Sequence, residues 1–472
     1  MSIKSFFGDK AFYRRVLTVA IPIMIQMGVT NFVNLLDNIM VGRLGNESMS
    51  GVSIVNQFVF IFILLVFGAT SAAGIFTAQY HGIGNVRGER DTFRLKMVIN
   101  VIAAIVGTVI FFAFGDELIS LFLHEGSDVG DLEKTLSEGR DYLSVMLFSF
   151  VPYAVAQVYA STMKETGETM MPAVASVAAV AVNFVLNLLL IFGYCGAPAL
   201  GVRGAAIATL VSRFVELGIL VIWGHTHTRS FPFLIGAYRS ISISADLIRK
   251  VTVKGLPLMA NEVLWSLAMT MRNQCYSTRG LAVVGAQNIC TTLFNVSNVI
   301  YMSVGSAIAI IVGSLLGAGK VEEAKDTDRK MLTFSVLCGT ALCGIMVLSA
   351  PYFPYLYKSD DPSVHSLATY MITVSALLVP FCAYAHSSYY TLRSGGRVGI
   401  TLLLDSGFMW AVPVPISVAL CYFTDLSIFW VFPICQGTEI IKTVVSYFLL
   451  KNGSWAQQLV EKNEGNESTE FS

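Results

Sequence analysis

The sequence predicts an all-α integral membrane protein: twelve transmembrane helices in two pseudo-symmetric six-helix lobes, arranged as a parallel repeat. Three observations predict it. The 472 residues are 54% hydrophobic and only 13% charged, about half the charge of a soluble globular chain. Twelve long apolar runs stand near 16–41, 52–77, 95–115, 142–162, 172–192, 201–223, 249–273, 287–312, 331–350, 367–391, 400–422 and 427–450, each near the length of about 20 residues that a spanning helix needs. The second half of the chain also repeats the first. Spans of this length exclude a barrel, whose strands would be about 10 residues long and alternating.

The basic start (Lys4, Lys10, Arg14, Arg15) runs into a first span too long for a signal peptide, with no small-residue cleavage site after it. With the N-terminus cytoplasmic, the cytoplasmic loops collect Arg87, Arg90, Arg94, Lys96 and eleven further Lys or Arg, against Arg43, Lys134, Arg140, Arg203, Arg279 and Lys358 outside. This positive-inside bias sets both termini in the cytoplasm. The segment "GDELISLFLHEGSDVGDLEKTLSEGRD" is then an acidic outer loop. The eight Cys lie almost all in apolar runs, without the spacing of a disulfide framework or a zinc site, and read as small packing residues.

Sliding the chain by 235 positions aligns residues 14–94 with the second half without a gap. Pro22 meets Pro257, and "HGIGNVRGERDTFR" meets "LGAGKVEEAKDTDR", with Gly82, Gly84, Asp91 and Arg94 on Gly317, Gly319, Asp326 and Arg329. Six spans plus six of like orientation give an axis along the membrane normal, the architecture of alternating-access transporters. The halves are residues 1–223 (N-lobe) and 249–450 (C-lobe). A cytoplasmic connector, 224–248, joins them, and a polar cytoplasmic tail, 451–472, follows.

Polar residues inside these spans are the functional candidates, because a charge costs about 2.5–3.5 kcal/mol at a helix centre. In the first span Gln26, Thr30, Asn34 and Asp37 share one helical face, as the lining of a water-filled cavity would. Asp37 lies about 33 Å along the helix from Arg15, in the outer half. In the fifth span Asn183 and Asn187 are one turn apart, able to offer carbonyl oxygens to a hard cation or to hydrogen-bond a carboxylate. The seventh span carries Asn261 and Glu262, then Trp265 and Arg272 on nearly the same face. By the repeat, Arg272 falls on Asp37 and Asn261 on Gln26.

Arg213/Glu216 and Glu439/Lys442 read as self-neutralising i, i+3 pairs. Asp405 reads as a local partner of Arg393 or Arg397, and His386 in the tenth span as a possible titrating or cavity-lining residue. "GSLLGAGK" misses the phosphate-loop spacing, and "HTH" at 225–227 lacks a third metal ligand. No nucleophile–base spacing, dinucleotide fingerprint or haem motif is present, so the chain does not read as an enzyme, and nothing points to nucleic acid.

"AIPIMIQMGVTNFVNLLDNIMVGRLG", "NFVLNLLLIFGYCGAPALGVRGAAIATLVSR" and "GLPLMANE" resemble the multidrug and toxic compound extrusion (MATE) transporters over about residues 10–450. The resemblance implies two six-helix lobes forming a V around a central cavity. It implies export of organic cations or drugs across the plasma membrane by a monomeric protein, driven by inward Na+ or H+ with no other cofactor. It further implies an N-lobe cation site, matched here by Asp37, Asn183, Thr209 and the Ala205 carbonyl. The fifth-span Asp of that pattern is Asn187 here, which removes one negative charge from a possible Na+ site at Asp37, Asn183, Asn187 and Thr209. Glu262 matches a seventh-span Glu used by some members, while "FCAYAHSSYYTLR" holds no tenth-span Asp. The missing charge favours H+ over Na+ as coupling ion and leaves both open. A lipid-linked oligosaccharide flippase, or a metabolite exporter of the same superfamily, is the alternative. A flippase needs several basic residues in the cavity, and only Arg272 and Arg213 qualify.

Overall fold

In the computed structural model the described residues are 6–120, 132–240, 242–357 and 362–460. They are helical almost throughout and form no strand. The helices are α1 (Lys10–Gly42), α2 (Asn46–Gly82), α3 (Val86–Ser120), α4 (Leu132–Met146), α5 (Phe150–Glu165), α6 (Met170–Phe192), α7 (Gly201–Thr226) and α8 (Ala245–Ser277). They continue as α9 (Leu281–Gly317), α10 (Val321–Ser349), α11 (Pro362–Ser394), α12 (Val398–Leu402), α13 (Phe408–Ala411), α14 (Pro413–Phe423) and α15 (Ile428–Lys451). A 3-10 turn at Leu147–Ser149 links α4 to α5, and a π-turn at Leu403–Gly407 links α12 to α13.

Eleven of these segments are long and apolar enough to cross a membrane among the described residues. The twelfth expected span, α8, has the length, but Asn261, Glu262, Arg272 and its basic first turns lower its hydropathy. Several helices outrun their apolar cores, since 33 residues extend about 50 Å against roughly 30 Å of hydrocarbon. The acidic segment expected as an outer loop is thus mostly helix, the end of α3 and the start of α4. Residues 121–131 between them lie outside the described ones.

The chain divides into two compact units. One holds Pro22–Gly74 and Arg90–Gly255, the other Met1–Ile21, Ile75–Glu89 and Leu256–Ser472. The divisions in α1 and α8 fall at Ile21/Pro22 and Gly255/Leu256, within one residue of the 235-residue offset.

In the first unit, α6 packs along α7 around a core in which Phe62 stacks on Phe150 with ring centroids 4.1 Å apart. The connector 224–248 is no loose linker. Phe231, Phe233, Leu234 and Ala237 are buried. Arg94 donates to the Gly236 and Ala237 carbonyls at 2.8 and 2.7 Å, and Arg90 to that of Phe233. Lys96, expected at a loop, is fully buried in α3. Burial is tolerable because it is paired with Glu165 and donates to Thr162 Oγ1.

In the second unit, the ends of α2 and α9 cross at a contact that the repeat makes twice. A Cβ on Gly82 would lie 2.0 Å from the Ser314 carbonyl oxygen, and one on Gly317 would lie 2.1 Å from that of Gln79. Gly82 is equivalent to Gly317, and Gln79 to Ser314, so one contact is written on both sides of a pseudo-twofold crossing. Glycine is needed at both points because backbone meets backbone there. The Gln79 side chain, fully buried, donates to the carbonyls of Ser394 (3.1 Å) and Gln457 (3.2 Å) and accepts from the Leu459 N–H (2.7 Å). It thereby binds residues 453–460, read from sequence as the start of a polar tail, with Trp455 and Val460 buried. Residues 461–472 lie outside the described ones.

Candidate ion-coupling site

The first unit brings three of the expected helices together around Asp37. An isolated carboxylate in an apolar span must find donors or a counter-ion, and α6 supplies donors. Asn187 Nδ2, on a residue 1% exposed, donates to Asp37 Oδ1. Asn183 sits between Asp37 and Thr209, and the orientation that satisfies both ends of its amide points the nitrogen at Asp37. With its nitrogen toward Asp37 it donates to both carboxylate oxygens (3.1 and 3.2 Å), while its oxygen accepts from Thr209 Oγ1 and the Thr209 N–H, both at 3.3 Å. Were the amide reversed, its oxygen would accept from Asn187 Nδ2 (3.1 Å) and its nitrogen would donate to Thr209 Oγ1 (3.3 Å). The amide oxygen would then face two carboxylate oxygens, an arrangement that needs a proton or cation between them. Thr209 Oγ1 also lies 3.1 Å from the Ala205 carbonyl oxygen.

One further acceptor, Asn187 Oδ1, is buried without a hydrogen-bond partner. The cluster thus offers a carboxylate, two amide oxygens, a hydroxyl and a backbone carbonyl. These are hard oxygen donors around a single formal charge, compatible with a proton or a small monovalent cation. Among the described residues no group of three or more His, Cys, Asp or Glu could hold a metal ion.

The remaining described first-span candidates, Gln26 and Thr30, are half-buried and hydrogen-bonded. Gln26 Nε2 donates to Ser176 Oγ (3.1 Å), and Thr30 Oγ1 to the Gln26 carbonyl (2.8 Å). The Asn34 side chain lies outside the described residues. Ser176 Oγ in turn donates to Glu216 Oε1 (2.9 Å), and Arg213 Nη1 reaches Glu216 Oε2 at 3.1 Å. The Arg213–Glu216 pair is therefore present as read, but it belongs to a chain that starts on α1. Arg213 also stands 4.9 Å over the Tyr153 ring.

The second unit repeats this centre with different charges. Asn261, equivalent to Gln26, donates to Asp405 Oδ2 (3.0 Å), and its amide oxygen accepts from the Ser406 N–H (3.2 Å). Lys442 donates to Asp405 Oδ1 (2.7 Å), with the lysine buried and the aspartate mostly so. Each unit thus joins an amide on its first span, a serine on its fifth and a charged pair reaching its sixth. Two sequence readings are corrected here. Asp405 does not pair with Arg393 or Arg397, and Lys442 pairs with Asp405 rather than Glu439. The π-turn at Leu403–Gly407 is the reason. An extra residue in the turn directs Asp405 toward α15, which spacing along a regular helix does not foretell.

Glu262 accepts from Tyr389 Oη at 3.3 Å. Arg272 is three turns further along α8, and no hydrogen bond or ion pair joins the two among the described residues. Trp265 packs with Met409 and Val414. His386 lies against Tyr301, ring centroids 5.3 Å apart. Sequence reasoning missed Ser176, Ser406, Gln79 and the Asp405–Lys442 partnership. A lysine in the last apolar span was the available signal for the last of these, since it demands an acid somewhere in the bundle.

Long apolar helices, a parallel repeat and buried ionisable centres point to a multi-pass membrane transporter as the class. The MatE family model matches residues 22–189 and again 257–418, two stretches whose starts are offset by the same 235 residues, and the chain belongs to this family of transporters. It is 21% identical over 458 residues to the probable multidrug resistance protein NorM of Thermotoga maritima, covering 96% of this chain and 95% of that one. It is 26% identical to a FAD transporter of Shewanella oneidensis, covering 79% and 78%. A solved MOP superfamily transporter from Pyrococcus furiosus has the same fold, with TM-score 0.84, 19% identity and coverage of 96% and 98%.

Proposed function

We propose that the protein exports small organic molecules, organic cations among them, across the plasma membrane in exchange for H+ or Na+. In this reading the lobes 1–223 and 249–450 alternate access to the substrate within a monomer whose termini are both cytoplasmic. The observation that carries it is the Asp37 cluster on α1, α6 and α7. It is a lone carboxylate whose neighbours can be satisfied either with Asp37 ionised or with a proton or cation bound.

A bound coupling ion neutralises Asp37, and the Asn183 amide then turns its oxygen toward the ion and its nitrogen toward Thr209. Release of the ion reverses the amide. The cluster therefore changes what α1 and α7 offer one another, and a differential interaction of this kind biases a two-state carrier. Pro22 gives α1 a point at which to bend, because proline removes one helical hydrogen bond. The absence of a second carboxylate at Asn187 supports H+ over Na+. Glu262 and Tyr389 are the second candidate for coupling, with Trp265 and His386 as further lining.

Purified protein in liposomes loaded with ethidium tests the reading under a pH gradient or a Na+ gradient applied separately. Efflux driven by one gradient and lost in Asp37→Asn is the expected result. Undiminished efflux in the variant would move coupling to Glu262, and no efflux under either gradient would reject ion-coupled export.

A further inference from the structure

The repeat places an ionisable residue at the same position in each half, eleven residues after an amide: Asp37 after Gln26, and Arg272 after Asn261. Asp37 is surrounded by groups that satisfy it. Arg272 is not. It is 7% exposed, yet no carboxylate lies within ion-pair distance of it among the described residues. Its one hydrogen bond runs from Nη2 to the Met269 sulfur at 3.3 Å, a weak acceptor. Nε is buried without a partner.

A buried guanidinium without a counter-charge is costly. The second unit has carboxylates that could have relieved it, but Asp405 is taken by Lys442 and Glu262 sits three turns away. What remains is a planar fork of donors whose one acceptor among the described residues is a thioether sulfur. That donor set is matched to an oxyanion, which a guanidinium binds through two parallel hydrogen bonds.

We infer that Arg272 is a docking residue for an anionic oxygen group, the carboxylate of a transported molecule, so that the cargo includes zwitterions and organic acids as well as simple cations. The inference rests on the exporter reading. It assigns opposite tasks to equivalent positions: Asp37 handles the coupling ion in one half, and Arg272 holds the negative group of the cargo in the other. Arg272 exchanges its contact with Met269 for the carboxylate when cargo arrives and regains it on release. A phospholipid headgroup presents the same chemistry, and the test separates the two.

Rhodamine B carries a carboxylate beside its delocalised cation, and its ethyl ester keeps the cation and lacks the acid. Their dissociation constants are measured by fluorescence anisotropy on the full-length protein in nanodiscs of zwitterionic lipid, with and without added phosphatidylglycerol. The acid is expected to bind more tightly than the ester, and the ester-to-acid ratio to fall about tenfold in Arg272→Gln. Arg272→Lys should restore part of it. An equal ratio in wild type and variant overturns the inference, and so does a preference for the acid that phosphatidylglycerol abolishes, which would make the site a lipid site.

Should Arg272→Gln fail to fold, phenylglyoxal labelling of the wild-type arginine, read by mass spectrometry, decides. Protection by naphthoate but not by naphthamide supports docking, and equal labelling in both refutes it. Loss of gradient-driven efflux of both dyes would instead defeat the exporter reading, whereas efflux of both with an unchanged ratio defeats only this inference.

Discussion

Replacing Gly82 or Gly317 by alanine probes the crossing of α2 and α9 with one methyl group on either side. Each new Cβ would stand 2.0 or 2.1 Å from a backbone carbonyl oxygen, where ordinary contact begins at 3.4 Å. The obstacle is main chain, so no rotamer change relieves it, and the helices must separate by more than an ångström locally. Overpacking of this kind costs about 1–3 kcal/mol, and a rigid carbonyl places it near the upper end. Alanine returns up to about 1 kcal/mol of helix propensity, which leaves a net loss of about 2 kcal/mol for each single variant.

The two clashes belong to one interface, so separation forced by the first makes room for the second. The double variant should therefore lose clearly less than the sum of the singles, by about 1 kcal/mol. Gly218→Ala, on α7 with nothing within 4 Å of the new Cβ, serves as the control and should be neutral or stabilising. Unfolding in mixed detergent micelles, followed by tryptophan fluorescence, measures all four. Gly82→Ala as stable as Gly218→Ala, or strictly additive losses in the double variant, would refute the crossing.

Asn187→Asp restores a second carboxylate beside Asp37 and should lower the Na+ concentration for half-maximal efflux about tenfold, about 1.4 kcal/mol of added affinity; an unchanged Na+ response in the liposome assay would count against Asn187 facing the ion. Lys442→Met strands Asp405 and should cost about 3–5 kcal/mol, whereas Asp405→Leu with Lys442→Met together should cost far less; equal losses in single and double variants, read by the same unfolding assay, would show that the two do not form a buried pair. Gln79→Leu leaves two carbonyls and one N–H without partners, at about 1–3 kcal/mol for each buried group. It should free residues 453–460 so that trypsin cuts at Lys451 faster than in wild type, and an unchanged cleavage rate would argue against that anchoring.

Much of this was legible in the chain. Hydropathy located the helices because each needs only a local apolar run. The 235-residue offset exposed the repeat because both halves keep the same glycines and prolines where backbones approach or bend. Periodicity along a single helix put Gln26, Thr30, Asn34 and Asp37 on one face, and the spacing of Asn183 and Asn187 presented two amides together. Partnership between elements was not legible. Asp405 follows Arg393 and Arg397 in sequence, but a π-turn sends it to Lys442, and Gln26 finds Ser176 on α6, 150 residues away.

By itself, then, the sequence determined the helices, their doubling and the identity of the ionisable residues, since these depend on local composition and on similarity between two stretches of one chain. The tertiary structure alone decided which of those charges are satisfied: Asp37 by Asn187 and Asn183, Glu216 by Arg213 and Ser176, Asp405 by Lys442, and Arg272 by no carboxylate. The physical reason is range. A hydrogen bond acts over about 3 Å between groups that can be 150 residues apart in the chain, and only the packing of helices brings them within it.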